Sequence, residues 1–390
     1  MKTRSYITMA FMMMMAFSFI SLQTIANTAR VQVIHNSADK AAEFVDVWLD
    51  DVLLLDNFEF RSASPYIDAP AGSEFTISIQ GSDSQSPKDP LWSQKYVLEE
   101  GETYVLIANG IVSPDGYSPA TPFDIYVYPM GREESSNPNT TDVMIFHGAT
   151  DAPMVDVVEI GVGAGTIADD LGYSDFTGYL ELPTTDYVID IMDDKGEVSV
   201  QKYEVPLASL NLNGAALVTV ASGFLSPANN SGGESFGLWV ALPDGGKLIA
   251  LPVYNPTARV QVIHNSPDQN AQFVDVWVND SLVVDDFEYQ TATPFFDFPA
   301  MEEFTISITG SESSSPLNPV WSGTYSLEEN STYILVASGV VTPASYNPSV
   351  PFDLFVYDMG REMSMQNGFT DMNVFHGSTD APRHLHTLHA

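Results

Sequence analysis

A string of nine residues, ARVQVIHNS, occurs twice in this chain, at 29–37 and again at 258–266. Shifting the chain by 229 residues aligns 29–153 with 258–382 without a gap, and more than half of the aligned positions carry the same residue. A period of this length is longer than a single supersecondary unit, so we searched it for a shorter repeat. The chain must therefore fold as repeated domains, and one kind of domain must form twice.

The long period divides into two related patterns. The segment DVMIFHGATDAPMVDVV (142–158) follows the pattern of RVQVIHNSADKAAEFVDVW (30–48): alternating apolar residues, His, a small polar stretch, Asp, and then Val-Asp-Val. We call the earlier pattern type A and the later one type B. The predicted division is a signal peptide at 1–26, type A repeats at 27–136 and 258–366, a type B repeat at 142–254, and a truncated start of a fourth repeat with a disordered tail at 371–390.

The local pattern within a type A repeat is that of short β-strands. Runs such as RVQVIH, FVDVWL, EFTISI and FDIYVY alternate apolar and polar residues or are rich in β-branched residues, and turn-forming segments such as SASP separate them. No stretch has a convincing helical period. About seven short strands in roughly 110 residues are typical of an immunoglobulin-like sandwich. The predicted fold class is all-β, with tandem immunoglobulin-like β-sandwich domains.

The N-terminus predicts export. Lys2 and Arg4 precede the acid-free run ITMAFMMMMAFSFISL and small residues around Ala26, an order typical of a secretory signal peptide. No later stretch is long and apolar enough to span a membrane. The chain has no cysteine, which excludes disulfides, thiolate metal ligands and a cysteine nucleophile. We therefore expect a secreted or cell-surface protein that has no membrane span after signal cleavage and whose stability rests on its cores.

The charge is strongly acidic. The chain has 51 Asp and Glu against 14 Lys and Arg, a formal net charge of −37. This balance argues against nucleic acid and anionic membrane surfaces as partners. The acidic residues are spread along the chain singly or in pairs, which favours a solvated surface. No cofactor is predicted, and calcium is left open because carboxylates and turn carbonyls suit a hard cation.

The candidate site is the polar motif that follows the first strand of each repeat. Alternate side chains of a strand share a face, so His35 follows Val31 and Val33 to the rim of the core. We expect His35 to donate to a turn carbonyl or to a carboxylate such as Asp46, and Asp39 to bond turn backbone groups. A metal or catalytic constellation is the alternative, but an active site is normally built once and these residues recur. The candidate residues, for which we predict a structural role, are His35, Asp39, Asp46, His147, Asp151, Asp156, His264, Asp268 and Asp275.

Two arginines recur at matched positions. Arg30 and Arg132 of the first repeat align with Arg259 and Arg361, while Val260 to Gly360 contains no Lys or Arg. Because the third repeat keeps only these two basic residues, we predict that the matched arginines have fixed acidic partners. A glycan- or anion-binding role is the alternative. The joint NPT (255–257) is short and predicts little freedom between the type B repeat and the second type A repeat, whereas EESSNPNT (133–140) predicts a looser connection between the first two domains.

Three ordered blocks carry a resemblance to a known family. ARVQVIHNSADKAAEFVDVWLDD, SPYIDAPAGSEFTISI and LEEGETYVLIANG resemble the domain-of-unknown-function family DUF4397, and the likeness covers nearly all of 29–366. The type B repeat departs from the pattern at EIGVGAGTIADDLGYSDF and PTTDYVIDI. The resemblance implies secreted or surface-exposed bacterial proteins with tandem copies. It implies no established activity, and no catalytic residue is carried over.

These observations favour a non-enzymatic role. We expect an exported, non-catalytic repeat protein that displays β-sandwich domains for adhesion, matrix contact or ligand binding. The expected partner is an extracellular protein or a glycan. The alternative is a secreted calcium-dependent or glycan-binding protein, and a hydrolase ranks last because the sequence carries no recognised catalytic motif.

Overall fold

The structure of the chain is a computed structural model that describes residues 27–381. The predicted signal peptide and the tail histidines His384, His386 and His389 lie outside the described residues. The chain divides into two compact units: unit 1 ends at Val253 and unit 2 begins at Tyr254. Within 27–381, no helix has the length and apolar character needed to cross a membrane.

Unit 1 begins with the strands of the first type A repeat. They are β1 (Thr28–His35), β2 (Phe44–Leu49), β3 (Val52–Glu59), β4 (Ser62–Ala63), β5 (Ile67–Pro70), β6 (Phe75–Gly81), β7 (Trp92–Tyr96), β8 (Thr103–Asn109) and β9 (Asp124–Pro129). In one sheet β1 pairs antiparallel with β4 and β5 and parallel with β8, and β8 continues to β9. The other sheet has the order β3-β2-β6-β7.

Unit 1 continues with the type B repeat. Its strands are β10 (Thr140–His147), β11 (Val155–Glu159), β12 (Gly165–Leu171), β13 (Phe176–Pro183), β14 (Asp186–Asp193), β15 (Ser199–Pro206), β16 (Ala216–Ser222), β17 (Gly237–Ala241), β18 (Gly246–Lys247) and β19 (Ile249–Ala250). One sheet has the order β13-β10-β16-β17-β19 and the other β12-β11-β14-β15. As in the first repeat, the opening strand β10 runs parallel to its neighbour β16.

Unit 2 contains the second type A repeat. Its strands are β20 (Thr257–Asn265), β21 (Phe273–Val278), β22 (Ser281–Glu288), β23 (Phe296–Pro299), β24 (Glu303–Gly310), β25 (Trp321–Ser326), β26 (Thr332–Ser338) and β27 (Asp353–Tyr357). They form sheets of order β23-β20-β26-β27 and β22-β21-β24-β25. Short 3-10 turns occur at Lys40–Ala42, Pro227–Asn229, Gln269–Ala271 and Pro343–Ser345.

The alternation in β1 shows how the sequence fills two different cores. Val31 and Val33 lie in the core between the two sheets of the repeat, together with Val45 and Ile79. Ile34 points the opposite way, to the outer face of its sheet, and is also fully buried. The predicted fold class, all-β with tandem immunoglobulin-like β-sandwiches, is confirmed. The exact domain boundaries stay predictions.

The outer face of the first sheet is buried against the type B repeat. Ile34, Val105 and Ile107 form one apolar cluster with side chains of β10, β16 and β17, namely Met144, Phe146, Val218, Val220 and Ala241. In addition, β18 of the type B repeat pairs antiparallel with β4, so it extends the sheet of the first repeat. We call this contact the A–B interface. It explains why both repeats belong to one compact unit.

The joint at 133–140 is held in place, contrary to the prediction of a loose connection. Asp142 accepts hydrogen bonds from Arg132 Nη1, from Ser135 Oγ at 2.8 Å and from Ser136 N at 2.9 Å. Burial raises the pKa of the Asp142 carboxyl, but these hydrogen bonds and the nearby Arg132 charge outweigh burial and lower it. The prediction was wrong because the buried acid that holds the joint lies after the Ser- and Asn-rich run.

Candidate functional site

The recurrent histidine is sealed inside its repeat. His35 is completely buried, and its Nε2 lies 2.7 Å from the carbonyl oxygen of Ala42 in the turn after β1. A carbonyl only accepts hydrogen bonds, so Nε2 carries the proton, and Nδ1 faces the backbone N–H of Ser37 at 3.4 Å. Burial lowers the pKa of His35 to about 4, against the opposing effect of the Ala42 hydrogen bond. The ring is therefore neutral near neutral pH, and neither nitrogen is left to bind a metal.

Asp39 fastens two turns together. Its carboxylate accepts from Ala41 N at 2.9 Å and caps the 3-10 turn after β1. It also accepts from Val112 N at 2.9 Å, from Ser113 N at 2.6 Å and from the Tyr117 hydroxyl at 3.0 Å, in the loop after β8. A carboxylate offers about four lone-pair sites, and these donors occupy them. The carboxylate therefore has no free oxygen for calcium.

The third repeat reproduces this arrangement. His264 Nε2 lies 2.7 Å from the carbonyl oxygen of Ala271. Asp268 accepts from Asn270 N at 3.0 Å, from Thr342 N at 2.7 Å and from the Tyr346 hydroxyl at 3.2 Å. Burial raises the pKa of the Asp268 carboxyl, but the hydrogen bonds, led by the one from the Thr342 side chain, lower it below its ordinary value.

The type B repeat uses a variant of the same device. His147 Nε2 lies 2.9 Å from the carbonyl oxygen of Pro153, and burial lowers the pKa of this ring as well. Asp151 accepts from Leu225 N at 2.9 Å and from Ser226 N at 2.8 Å, again joining the first turn to a later loop. The structure thus places the histidine and this aspartate in adjacent, separately bonded positions in every repeat.

The aspartate of Val-Asp-Val accepts its hydrogen bonds from groups other than the histidine. Asp46 accepts from Asn57 N at 2.9 Å and from both the backbone N and the Oγ of Ser84 at 2.6 Å. Burial raises the pKa of Asp46, but the hydrogen bonds from Ser84 and Asn57 lower it overall. Its counterparts also accept from the neighbouring strand: Asp156 from Asp170 N at 2.9 Å and Asp275 from Asp286 N at 3.0 Å. Of the two partners predicted for His35, the turn carbonyl is therefore the one observed.

One acidic cluster has the geometry of a partial cation site. Carboxylate oxygens of Asp275, Asp285 and Asp286 lie within 4.8 Å of one another. Asp275 is buried and already accepts from Asp286 N and from Ser313 Oγ, whereas Asp285 and Asp286 are exposed. Calcium takes about six to eight oxygen ligands. The cluster supplies only part of such a shell.

The matched arginines have fixed acidic partners, as predicted. Arg30 donates to Glu133 at 2.7 and 2.9 Å and to Asp68 at 3.2 Å. Arg259 donates to Glu362 at 2.6 and 3.0 Å and to Asp297 at 3.0 Å. Each pair ties the start of a first strand to the segment after the last strand. The side chains of both arginines are more than a third exposed, so these ion pairs contribute little to stability.

A cleft of about 390 Å³ opens in unit 1 beside the A–B interface. Both repeats supply its walls, which combine aromatic rings with charges of both signs. The side chains that define it are Lys40, Phe60 and Arg61 from the first repeat and Glu234, Trp239 and Lys247 from the type B repeat.

Arg61 lies at the centre of this cleft. Its guanidinium carbon lies 4.1 Å from the ring centroid of Trp239, a cation–π distance. Its Nε donates to Ser222 Oγ at 3.0 Å, and its Nη2 donates to the carbonyl oxygen of Ser235 at 2.8 Å. Burial lowers the pKa of Arg61 to about 10, against the opposing charge of Glu234. The cleft therefore holds a charged, oriented guanidinium against an indole ring.

Family comparison assigns the chain. The sequence profile of the family described as a domain of unknown function (DUF4397) matches residues 29–157, 141–223 and 258–383. The chain belongs to the DUF4397 family. The predicted resemblance is therefore confirmed, and the three matches follow the A, B, A order of the repeats. No curated protein is detectably similar in sequence.

Two solved structures illustrate a remote likeness to this DUF4397 chain. The Bacillus anthracis TIE protein matches at 11% identity and a TM-score of 0.20, over 84% of this chain and 51% of the other. The chain thus spans about half the length of that protein. A streptococcal virulence factor that binds alpha-glucan matches at 11% identity and a TM-score of 0.18, over 49% of this chain and 92% of the other. Likenesses this low carry no argument about function.

Sequence reasoning did not find the cleft residues. It singled out neither Arg61 nor Trp239. A signal was present: Lys40 and Arg61 are replaced by Gln269 and Gln290 in the other type A repeat of this DUF4397 protein. This signal is not specific to the cleft, because Lys88 and Lys95 of the first repeat are also replaced by uncharged residues, Leu317 and Thr324.

Proposed function

We propose that this DUF4397 protein is an exported, non-catalytic binding protein that uses its β-sandwich repeats for adhesion, matrix contact or ligand capture. We propose further that the cleft at Arg61 and Trp239 is its ligand site and that the ligand is a glycan. Secretion or display at the cell surface follows from the signal-like N-terminal sequence.

The proposal that the ligand is a glycan rests on the aromatic and charged side chains that line the cleft. A saccharide presents hydroxyl groups that both donate and accept hydrogen bonds, and C–H faces that pack on aromatic rings. The cleft is lined by the rings of Phe60 and Trp239, on which Arg61 also packs, and by the Glu234 carboxylate, which accepts from Arg61 at 3.4 Å. Lys40 donates to the Ser231 carbonyl and Lys247 to Glu59, each at 2.6 Å, and an ammonium group with one such partner keeps further N–H donors for a ligand. Its volume of about 390 Å³ lies within the range of ligand pockets. An extended polar ligand fits this mixture better than a purely apolar one.

The state of the recurrent motif supports a non-catalytic role. A general base needs a free nitrogen or oxygen within reach of substrate. His35 is neutral, buried and bonded at Nε2 to the Ala42 carbonyl, and Asp39 is saturated by backbone and hydroxyl donors. The histidines and aspartates at the matching positions of the other repeats make corresponding hydrogen bonds, which supports a structural role in holding the turns together.

Binding of the mature chain to a panel of neutral and acidic polysaccharides tests the proposal. Retention in affinity electrophoresis selects the ligand, and calorimetry then gives its Kd. We expect Trp239→Ala to weaken binding by about ten-fold or more, because it removes the stacking ring. Trp239→Phe should restore most of the affinity, since it keeps an aromatic face.

Gln290→Ala is the matched control, because Gln290 occupies in unit 2 the position that Arg61 has in unit 1. It should leave the Kd unchanged, whereas Arg61→Gln should raise it. Retention of no polysaccharide, or a Kd that Trp239→Ala and Arg61→Gln both leave unchanged, would contradict the glycan assignment.

A further inference from the structure

The outer face of sheet β23-β20-β26-β27 in unit 2 is apolar and partly exposed: Val336 is buried, Ile263 and Ile334 are half-buried, and the β27 side chains on this face are exposed. It carries Ile263, Ile334, Val336, Phe355 and Tyr357, and we call it the unit 2 face. Phe355 and Tyr357 are 43% and 36% exposed. Among the residues described, this face matches the one that the first repeat buries in the A–B interface, where Ile34, Val105 and Ile107 are fully covered.

A groove of about 600 Å³ adjoins the unit 2 face. It is lined by Asn265, Tyr289, Tyr346 and Phe375, among others. In the internal alignment, which shifts the chain by 229 residues, Tyr346 aligns with Tyr117. The groove in unit 2 therefore corresponds to the surroundings of Tyr117 in unit 1.

In unit 1 a loop of the type B repeat fills that place. The ring of Phe224 lies 5.7 Å from that of Tyr117. Asn230 Oδ1 accepts from Ser118 N at 2.9 Å, and Ser231 Oγ donates to the carbonyl oxygen of Gly116 at 3.0 Å. The groove in unit 2 therefore lies where unit 1 binds the loop of the type B repeat that contains Phe224, Asn230 and Ser231.

The residues after β27 already follow the course of a type B strand across this face. Arg361 donates to Asp371 at 2.6 Å, as Arg132 does to Asp142 in unit 1. The rings of Phe355 and Phe375 lie 5.3 Å apart, and the aligned pair Tyr126 and Phe146 lies 5.6 Å apart.

A close backbone approach recurs as well. Gly377 lies so near the Asn265 amide that a Cβ would collide with it, and Gly148 has the same relation to Asn36. The ion pair, the ring pair and the close glycine contact of 371–377 thus repeat three of the contacts with which β10 begins the A–B interface.

We propose that the unit 2 face and its groove bind a type B β-sandwich, in the manner of the A–B interface of unit 1. The segment 371–377, which aligns with the start of β10, already lies against this face as extended chain outside the named strands, and the area beside it has the place of the strands β16 and β17. A second copy of the unit 2 face would bring no loop equivalent to Phe224–Ser231 to fill the groove. This inference is independent of the glycan proposal, because Arg61 and Lys40 have no charged counterpart in unit 2.

A chain with a completed fourth repeat tests the proposal. Residues 383–390 are replaced by a copy of 154–253, so that 371–382 run directly into type B sequence. Hydroxyl-radical footprinting read by mass spectrometry then measures the oxidation rates of Phe355 and Tyr357. We expect both rates to fall several-fold, to the rates of the aligned Tyr126 and Tyr128 in unit 1.

Leu282 is the internal control, because it is 43% exposed on β22 in the opposite sheet and should keep its oxidation rate. Changing the copy of Phe224 to Ala in the added repeat should weaken the protection. Tyr357→Ser should do the same from the other side if that variant of Phe224 fails to fold.

Three outcomes would overturn the proposal. One is an added repeat that folds but leaves Phe355 and Tyr357 as reactive as in the original chain. Another is an added repeat that contributes no β-sheet circular dichroism beyond that of the original chain, because the same sequence is folded against the matching face in unit 1. The third is concentration-dependent protection of Phe355 in the original chain, which would assign the face to a second copy.

Discussion

At the scale of single residues, the recurrent motif of each repeat gives its histidine Nε2 and its aspartates fixed partners. His35 bonds a turn carbonyl, and Asp39 collects donors from two loops that are far apart in sequence. Such a group stabilises the fold only while its bonds are made, because a buried donor or acceptor without a partner is costly. The histidine of the type B repeat is less completely bonded than His35: among the described residues, Nδ1 of His147 has no hydrogen-bond partner.

The lowered pKa of His35 predicts acid sensitivity in unit 1. The folded state holds the ring neutral with a pKa of about 4, below the ordinary 6.5, so the unfolded chain binds more protons between these values. The contribution is complete above the ordinary pKa and is lost as the pH falls from there to about 4. We expect His35→Gln to lower the free energy of unfolding of unit 1 at neutral pH by about 1–3 kcal/mol and to flatten its decline with acid.

Urea unfolding of the full chain across this pH range measures both effects. His376→Gln is the control, because His376 is the exposed counterpart of His147 at the start of the second type B sequence. It should leave the unit 1 transition unchanged. A pH profile of unit 1 that is the same with and without His35 would show that this ring does not govern it.

At the scale of elements, the Val-Asp-Val strand carries a recurrent β-bulge. The pairing of β2 with β3 and of β21 with β22 shifts register beside the aspartate. Asn57 and Asp286 have φ values of 50° at these bulges, and the backbone N–H of each donates to Asp46 or Asp275. A bulge leaves such a group out of the strand ladder, so the aspartate replaces the missing partner.

Because the buried aspartates of Val-Asp-Val already accept hydrogen bonds from the protein, we predict that calcium and sodium stabilise the chain alike. If the acidic surface is only solvated, both ions act by screening its self-repulsion, and calcium should not change the Tm at constant ionic strength. Melting curves with calcium and then with chelator check this. A reversible, calcium-specific rise of Tm that Asp285→Asn abolishes and Asp56→Asn preserves would instead place a calcium site on the β21–β22 hairpin.

At the scale of the whole molecule, the A–B interface decides how the first two repeats behave. It buries Ile34, Val105 and Ile107 from one repeat and Met144 and Phe146 from the other, which makes it comparable in character to a domain core. An apolar face of this kind stabilises the pair only while both repeats are folded.

Dissection of unit 1 tests this coupling. We expect 27–136 alone to fold as a β-rich unit with its own transition, because it has a complete core between its two sheets. It should melt below 27–253 and bind more of the dye ANS, since Ile34 and Ile107 become exposed. Equal Tm and dye binding for the two fragments would show that the interface contributes nothing, and a fragment without β signal would refute a separate first domain.

The sequence by itself determined the repeats and the local structure. Strand alternation placed Val31 and Val33 in a core and His35 at its end, because the side-chain period of a strand depends only on the local backbone. The internal alignment also marked the residues that would be bonded alike in each copy. It could not choose between Ala42 and Asp46 as the partner of His35, since that depends on how the turn folds back.

Only the tertiary structure decided what covers each outer face. Ile34 and Ile263 occupy the same position in the repeated string ARVQVIHNS. Nevertheless, Ile34 is buried in the A–B interface, whereas Ile263 lies on the partly exposed unit 2 face. The cleft likewise joins Arg61 to Trp239 across 178 positions (239 − 61) and two different repeats. Such contacts arise from the packing of one sheet on another, and no local pattern in either segment encodes its distant partner.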